Sequence, residues 1–588
     1  MSYPFLAFGA SKAAGYLWVF VIAFPILLLV PNLVLLGAYT SSLVRLDEFA
    51  NRLAGLDRDA RTEWEQYVDR LLSSRDPDEA RHVFLGFFPQ TGAPALLDRS
   101  ILGEHAYIVG QPGSGKTTLG IMPLLVQCIR GHRHSVAVEE SGQAVPAPIV
   151  ILDLKGDLAL FNTAREECER RDRALGRASS FRFFNIDGRR ATHYFDPFQN
   201  IQSEPRTAIE FCELFIQALN LYHGDQYGAS YYSRQHRDLL LTVLEEAQRT
   251  NRMPRSWREL YDLVKPHVGR RSAHKFDAFE LLSVIHALTF YPQLVTDKSP
   301  DDAEVIHMPT VIRQGQVAYF CLPARLANMS VKEIGKLALY SLLTAAADYH
   351  EGGNPRRQIF LFIDEFQRIA AENLGIILEQ ARGFGVGVIL ANQDPGALIL
   401  PNVDLRRTVM TNTRFKQFFT VTHPDEIKDI MMLSGEKSDF LTTETLTEHY
   451  ARSSGGGGGH FISSTTRGWS HGMSYREIKV PRLAVNDVIQ INDAPLDSIV
   501  YVTRGSGFTQ LAGIPTRVRT PWTTTKAEYQ RRLETPWPGR PEDAPRAIIP
   551  QITPAEAERR QREILERDQE LRQLLASINE KKEREEED

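Results

Sequence analysis

Positive charge is not in excess in this chain. Lys and Arg total 68 against 73 Asp and Glu, for a net charge of −5 over 588 residues. That balance removes overall basicity as a basis for nucleic-acid binding and leaves only a local basic surface open. Cysteine is scarce as well. Cys128, Cys168, Cys212 and Cys321 stand far apart, with no CxxC pair. Neither a zinc site nor a disulfide framework follows from them, and they fit a reducing compartment. Charge of either sign is missing between Lys12 and Arg45, where the core of the run reads GYLWVFVIAFPILLLVPNLVLLGAY. A run this long exceeds the ~7–15 apolar residues of a signal peptide and suits the ~20 helical residues that cross a bilayer. Tyr16, Trp18 and Tyr39 near its ends suit an aromatic belt. Pro25 and Pro31 imply kinks that membrane helices tolerate. Residues 1–44 are therefore expected to form a membrane anchor.

The remainder has the composition of a globular protein, 43% hydrophobic and 24% charged. Residues 45–85 are polar with helical periodicity and predict a juxtamembrane helical stem. Continuous apolar runs follow at 149–153, 317–322, 359–364, 385–392 and 416–421, separated by helical segments. Such runs predict a mainly parallel sheet covered on both faces, an α/β fold. The domain is expected in two parts, 86–204 and 301–520, interrupted by an all-α insertion over 205–300. SSGGGGGHFISSTTRGWSHG (453–472) reads as a flexible or partly disordered loop. Residues 521–552, rich in proline, read as an extended linker. Residues 553–588 predict a charged C-terminal helix, with Thr553, Pro554 and Glu556 as its start signals and a partner-docking role as one reading against a solvated tail.

The chemistry concentrates in three motifs. Gly110, Gln111, Pro112, Gly113, Ser114, Gly115, Lys116, Thr117 and Thr118 form a phosphate-binding loop of the pattern G-x4-G-K-[ST]. Its backbone N–H groups are expected to wrap the phosphates of ATP, with Lys116 on the terminal phosphates and Thr117 on Mg²⁺. IFLFIDEF (359–366) places two carboxylates at the end of a strand. Asp364 is expected to hold Mg²⁺ and Glu365 to polarise the attacking water. GVGVILANQDPG (385–396) ends a strand in Asn392 and Gln393, where an amide can sense the terminal phosphate, and Arg382 lies just before that strand. DLRRTVMTNTRFKQFF (404–419) interleaves Arg406, Arg407, Arg414 and Lys416 with phenylalanines. A sheet strand with surface charges accounts for it better than a nucleic-acid path does.

Together these stretches resemble one family, the VirD4/TraG/TraD-like coupling proteins of type IV secretion and conjugation. These belong to the FtsK/HerA branch of P-loop motor ATPases. The resemblance runs from about residue 84 to 515. It rests on GEHAYIVGQPGSGKTT, IVILDLKGDLA (with Asp153, Lys155, Gly156 and Asp157), THYFDPFQN, FIDEFQRI, EQARGFGVGVILANQDPGAL and TRFKQFFTVTHPDEIKDIMMLSG. It implies a P-loop, RecA-like ATPase using ATP and Mg²⁺, with catalytic roles for Lys116, Asp364, Glu365 and Gln393. Arg382 would reach a neighbouring subunit's nucleotide, and a homo-hexameric ring with a central channel follows. The resemblance also implies a bacterial inner-membrane location with the ATPase domain cytoplasmic. The implied partners are type IV secretion components, DNA with its relaxase, and effector proteins with their adaptors. The family commonly begins with two membrane helices, whereas one span is evident here. A DNA pump unconnected to secretion and a docking platform with a structural nucleotide site are the alternatives.

Overall fold

A computed structural model of the chain describes residues 62–539, apart from 132–136, 139–143, 188–189, 202–205, 220, 222–228, 270–276, 324–327, 355–356, 372–373, 401–402, 422, 457–460 and 504–512. The expected anchor (1–44) and C-terminal helix (553–588) lie outside the described residues. Among the described residues no helix is long and apolar enough to cross a membrane. The chain divides into two units, Met1–Gln66 and Tyr67–Asp588, and the second holds the sheet and the site. Of the stem region, residues 62–81 carry helices Glu63–Ser73 and Pro77–Ala80 before the first strand begins at His82.

Among the described residues, nine strands of the main sheet come first: β1 (His82–Phe87), β2 (Pro94–Asp98), β3 (Ala106–Val109), β4 (Ile149–Asp153), β5 (Phe181–Asn185), β6 (Val317–Cys321), β7 (Ile359–Asp364), β8 (Val386–Asn392) and β9 (Phe415–Phe418), with a small separate pair at Ala137–Val138 and Ala144–Val145. A hairpin of β10 (Glu436–Gly456) and β11 (Phe461–Pro481) comes next, and β12 (Asp497–Val502) and β13 (Thr516–Arg519) return to the sheet. The sheet has 11 strands in the order β2-β1-β13-β12-β9-β3-β8-β7-β4-β6-β5. The seven strands from β9 to β5 are mutually parallel, and the four on the β2 side pair antiparallel. The parallel strands are apolar at consecutive positions because both faces are covered. Val150, Leu152, Leu361 and Ile363 face one core, whereas Ile149, Ile151, Phe360 and Phe362 face the other.

Between β5 and β6 the described elements of the insertion are helical: Ala208–Ala218, Ala229–Arg249, Trp257–Val264 and Phe279–Leu288, with short 3₁₀ turns. Thr207 and Glu210 form a reciprocal capping box at the first of these helices, and Ser256 caps the third. Trp257 is fully buried and meets Phe198 and Phe215 edge-on at centroid distances of 4.8 and 5.3 Å. The insertion thus shares one of the two sheet cores.

Two segments depart from the sequence reading. The glycine- and serine-rich stretch at 453–472 is not a loose loop over its described length. It belongs to a hairpin whose cross-strand register is continuous from Glu436↔Pro481 to Gly456↔Phe461. β-Branched and aromatic residues on either side of the glycines supply the strand preference that composition at the tip obscures. The supposed linker at 521–552 contains a helix, Lys526–Glu534, capped by Thr525 through the Glu528 N–H. That helix packs on Leu158–Ala174, and the Trp537 ring stacks on Phe183 at 5.7 Å. Prolines flank this helix without entering it.

Candidate nucleotide-binding site

The loop after β3 has the backbone that its glycines permit. Gly113 and Gly115 take φ of 82° and 88°, a region costly for residues with a Cβ. A Cβ on Gly110 would come within 2.5 Å of Ser114 Oγ and 2.7 Å of Phe419 Cβ, so only glycine fits against that wall. The helix behind the loop opens in a wide turn, in which the Met122 N–H reaches back to Thr117 O. Pro123, which has no N–H, stands at the start of the regular helix Met122–Arg130 and accounts for the change of winding. Ser114 Oγ is buried with no hydrogen-bond partner among the described residues. A loop of this shape at a helix N-terminus, with an unsatisfied hydroxyl turned inward, fits a bound phosphate chain.

Strand β7 brings the carboxylates to the same end of the sheet. Lys116 Nζ donates to Glu365 Oε1 at 2.9 Å and lies 3.8 Å from Asp364 Oδ1. Thr117 Oγ1 donates to Asp364 Oδ2 at 3.3 Å. Thr117 and Asp364 are the residues that would hold Mg²⁺, and a hydroxyl with one carboxylate is a set that Mg²⁺ accepts beside nucleotide phosphates. Glu365 is left-handed, with φ 59° and ψ 45°. For a residue with a side chain this costs on the order of 1–3 kcal/mol, so its position is held by its surroundings. Gln367 Nε2 donates to its second oxygen at 2.6 Å, and Gln393 bonds to the same carboxylate.

The two acids are tuned apart. Burial, aided by Asp153, Glu365 and Asp157 and opposed by Lys116, pushes Asp364 up to about 7. Burial also acts to raise Glu365, but Lys116 and hydrogen bonds from Gln393, Lys116 and Gln367 outweigh it and hold this carboxylate below its usual range. Glu365 is therefore ionised at neutral pH, as a general base must be. Asp364 has its pKa raised on folding, from 3.8 to about 7. Between those values the native state holds the extra proton, so its contribution to the stability of the nucleotide-free protein falls as pH rises and levels off above about 7. Mg²⁺ needs the ionised form. The rise in melting temperature caused by Mg²⁺ with a non-hydrolysable ATP analogue is thus expected to grow from pH 6 to pH 8. A shift independent of pH over that range would remove Asp364 from the metal site.

Asp153 ends β4 directly beside Asp364 in register. It accepts the N–H groups of Lys155, Gly156 and Asp157 and the Tyr319 hydroxyl at 2.6 Å. Arg368 Nη1 donates to Leu154 O at 3.0 Å and ties this turn to the segment after Glu365. Gln367, Tyr319 and Arg368 are the neighbours that sequence reading did not single out. FIDEFQR contains two of them: Gln367 meets Glu365 within the motif, whereas the partner of Arg368 lies 214 residues away.

Other expected residues are placed differently. Gln111, Pro112 and Gly113 form the exposed rim of the loop, and Thr118 Oγ1 donates to Gly115 O at 3.3 Å. Arg382 closes helix Leu374–Gly383 just before β8 starts, at the opposite end of the sheet from Lys116. It pairs there with Glu104 at 2.8 Å, an acid shared with Arg414. The seven residues of β8 separate it from the phosphate-loop end of the sheet by about 20 Å. Lys416, Phe415, Phe418 and Phe419 are buried, and Arg406 is paired with Asp404. This stretch is the sheet strand that the sequence favoured.

Fold and site together define a P-loop nucleotide-binding domain with its acid pair at the end of β7, one strand removed from β3 in the same sheet. No protein-family model matches the chain, and no curated protein matches it. Among solved structures it is similar to the bacterial conjugative coupling protein TrwBdeltaN70 in an unbound form, at 15% identity and a TM-score of 0.47, covering 78% of this chain and 93% of that one. It is also similar to the plasmid coupling protein TrwB in complex with the ATP analogue ADPNP, at 14% identity and a TM-score of 0.46 over 80% of this chain and 95% of that one. A third similarity is to VirB4 of Thermoanaerobacter pseudethanolicus, at 16% identity and a TM-score of 0.38 over 60% of this chain and 87% of that one.

Proposed function

We propose that this chain is a Mg²⁺-dependent ATPase that serves as the coupling protein of a type IV secretion or conjugation system. The observation that carries the hydrolytic reading is the meeting of Lys116 and Thr117 with Asp364 and Glu365 at one end of the sheet. Bound Mg²⁺ would neutralise the charge that develops between the terminal phosphates. The phosphate loop orients the nucleotide, and Lys116 moves from Glu365 toward its terminal phosphates. Glu365, released from that pairing, takes the proton of the attacking water on Oε1. Gln393 and Gln367 keep its carboxylate aimed while this happens.

The coupling role is supported by the family resemblance of the sequence between residues 84 and 515. On this reading the anchor at 1–44 holds the chain at the inner membrane with the site in the cytoplasm. The insertion at 205–300 and the tail at 553–588 recruit DNA with its relaxase, or effector proteins. Arg382 is too far from its own nucleotide site to act there. In a ring it would serve the site of the adjacent copy. The test is transfer of cargo by cells carrying Lys116→Ala in the full chain. Transfer is expected to be lost. Normal transfer by that variant would leave only a docking platform with a structural nucleotide site.

A further inference from the structure

The long hairpin takes no part in the nucleotide site, and among the described residues its strands pair only with each other. β10 and β11 form a separate two-stranded sheet, paired over 21 residues a side. At ~3.3 Å per residue that ladder is about 70 Å long, and an isolated two-stranded ribbon is marginal in water. Residues directly opposite each other share a face, so the register sorts the side chains. Phe440, Leu446, Tyr450, Trp469, Met473 and Tyr475 fall together on one face. The other is mostly small: Thr443, Thr445 and Thr447 stand opposite Ser474, Gly472 and Ser470. The bulky face is open to solvent, with Trp469 62% and Tyr475 67% exposed. Arg467 lies over the Tyr450 and Trp469 rings at 5.3 and 5.8 Å and pairs with Glu448, which holds the face in order.

Both outer edges are undefended. Natural edge strands carry bulges, prolines or lysines that discourage pairing. Here the register has no shift, residues 436–480 contain no proline, and the lysines, Lys437 and Lys479, sit at the root. Five acidic and five basic residues between 436 and 481 cancel to a net charge of zero. A strongly charged partner such as nucleic acid is therefore not selected, and copies of the ribbon do not repel one another. Each outer edge presents the unpaired backbone N–H and C=O groups of a continuous 21-residue strand, a template that a further strand of the same kind fills.

We propose that the hairpin is a self-association element, whose occupant is the same hairpin of other copies of this chain. The free edges pair, β10 of one copy to β11 of the next. A continuous sheet results, with the Thr/Ser/Gly side lining its concave surface and the aromatic side outward. Unequal side-chain size on the two faces favours that curvature. This stands apart from the nucleotide chemistry, because the hairpin can be shortened without touching Lys116 or Glu365.

The test uses the full chain in two variants. In the first, residues 440–477 are replaced by Asn-Gly, which leaves the paired root from Glu436 to Asp439 intact. Mass photometry is expected to show self-association at least ten-fold weaker than that of the parent chain, with unchanged binding of the Mg²⁺–ATP analogue as the check on folding. An unchanged mass distribution would overturn the proposal, as would a parent chain that is monomeric. In the second, Thr447→Cys is spin-labelled, the four native cysteines being buried. Edge pairing repeats the position every two strands, ~10 Å, so strong dipolar broadening is expected. Packing of aromatic face on aromatic face would put the labels on opposite outer surfaces, without such broadening, and would overturn edge pairing. Binding of the unassociated chain to phosphatidylcholine vesicles through Trp469, with a monomeric label spectrum, would overturn self-association in favour of a lipid surface.

Discussion

Glu365→Gln is expected to lower kcat for ATP hydrolysis by about 10²–10⁴-fold, the usual worth of a positioned general base. Nucleotide affinity should change little. The substitution keeps the volume and an oxygen able to accept from Lys116, which sits 2.9 Å from Glu365 Oε1. What it removes is the capacity to take a proton. Its amide also meets Gln367 Nε2, a donor now 2.6 Å from Glu365 Oε2, so one of the two amides must turn. The left-handed backbone at φ 59° suits glutamine no better than glutamate. The loss should therefore appear in turnover and not in folding. Single-turnover hydrolysis, compared with equilibrium binding of a fluorescent ATP analogue, separates these effects. A variant that binds normally and hydrolyses within three-fold of the parent would mean that Glu365 is a structural partner of Lys116 and that the base lies elsewhere.

The site's components were legible because each is a local pattern: glycines at fixed spacing before Lys116, and an apolar strand ending in Asp364 and Glu365. The parallel sheet was legible for a related reason, since strands buried on both faces must be apolar without alternation. What local pattern cannot carry is direction and partner. Arg382 precedes β8 by only a few residues, yet strand polarity sends it to the end remote from Lys116. The Glu365 carboxylate meets Lys116 and Gln393, which come from two distant points in the chain, as well as its near neighbour Gln367. The hairpin is not legible in the sequence because it rests on the pairing of Glu436 with Pro481, 45 residues apart, while its tip reads as low complexity. At 526–534 the capping pair Thr525 and Glu528 was present, but the surrounding prolines argued more loudly for an extended chain.

Arg532→Ala is expected to destabilise the attachment of helix Lys526–Glu534 by about 3 kcal/mol, the low end for breaking a buried ion pair from one side. Arg532 is buried, and its guanidinium donates to Glu166 at 2.9 Å, to Glu528 at 2.6 Å and to Thr163 Oγ1 at 3.1 Å. Arg531 also reaches Glu166, at 2.7 and 2.8 Å, so the acid is not left wholly unpaired, and this keeps the cost from the upper end. Glu166 lies on helix Leu158–Ala174, which begins at the turn held by Asp153 beside Asp364. Detachment is a local opening, so the readout is limited proteolysis between residues 520 and 540 together with the urea midpoint of that step. Adding Glu166→Gln to Arg532→Met should recover part of the loss of Arg532→Met alone, because the carboxylate deprived of Arg532 is then uncharged, while Arg531, 20% exposed, can turn to solvent. If the double variant loses as much as the two single changes summed, the pair contributes through packing of the long arginine side chain against the helix, not through its charge.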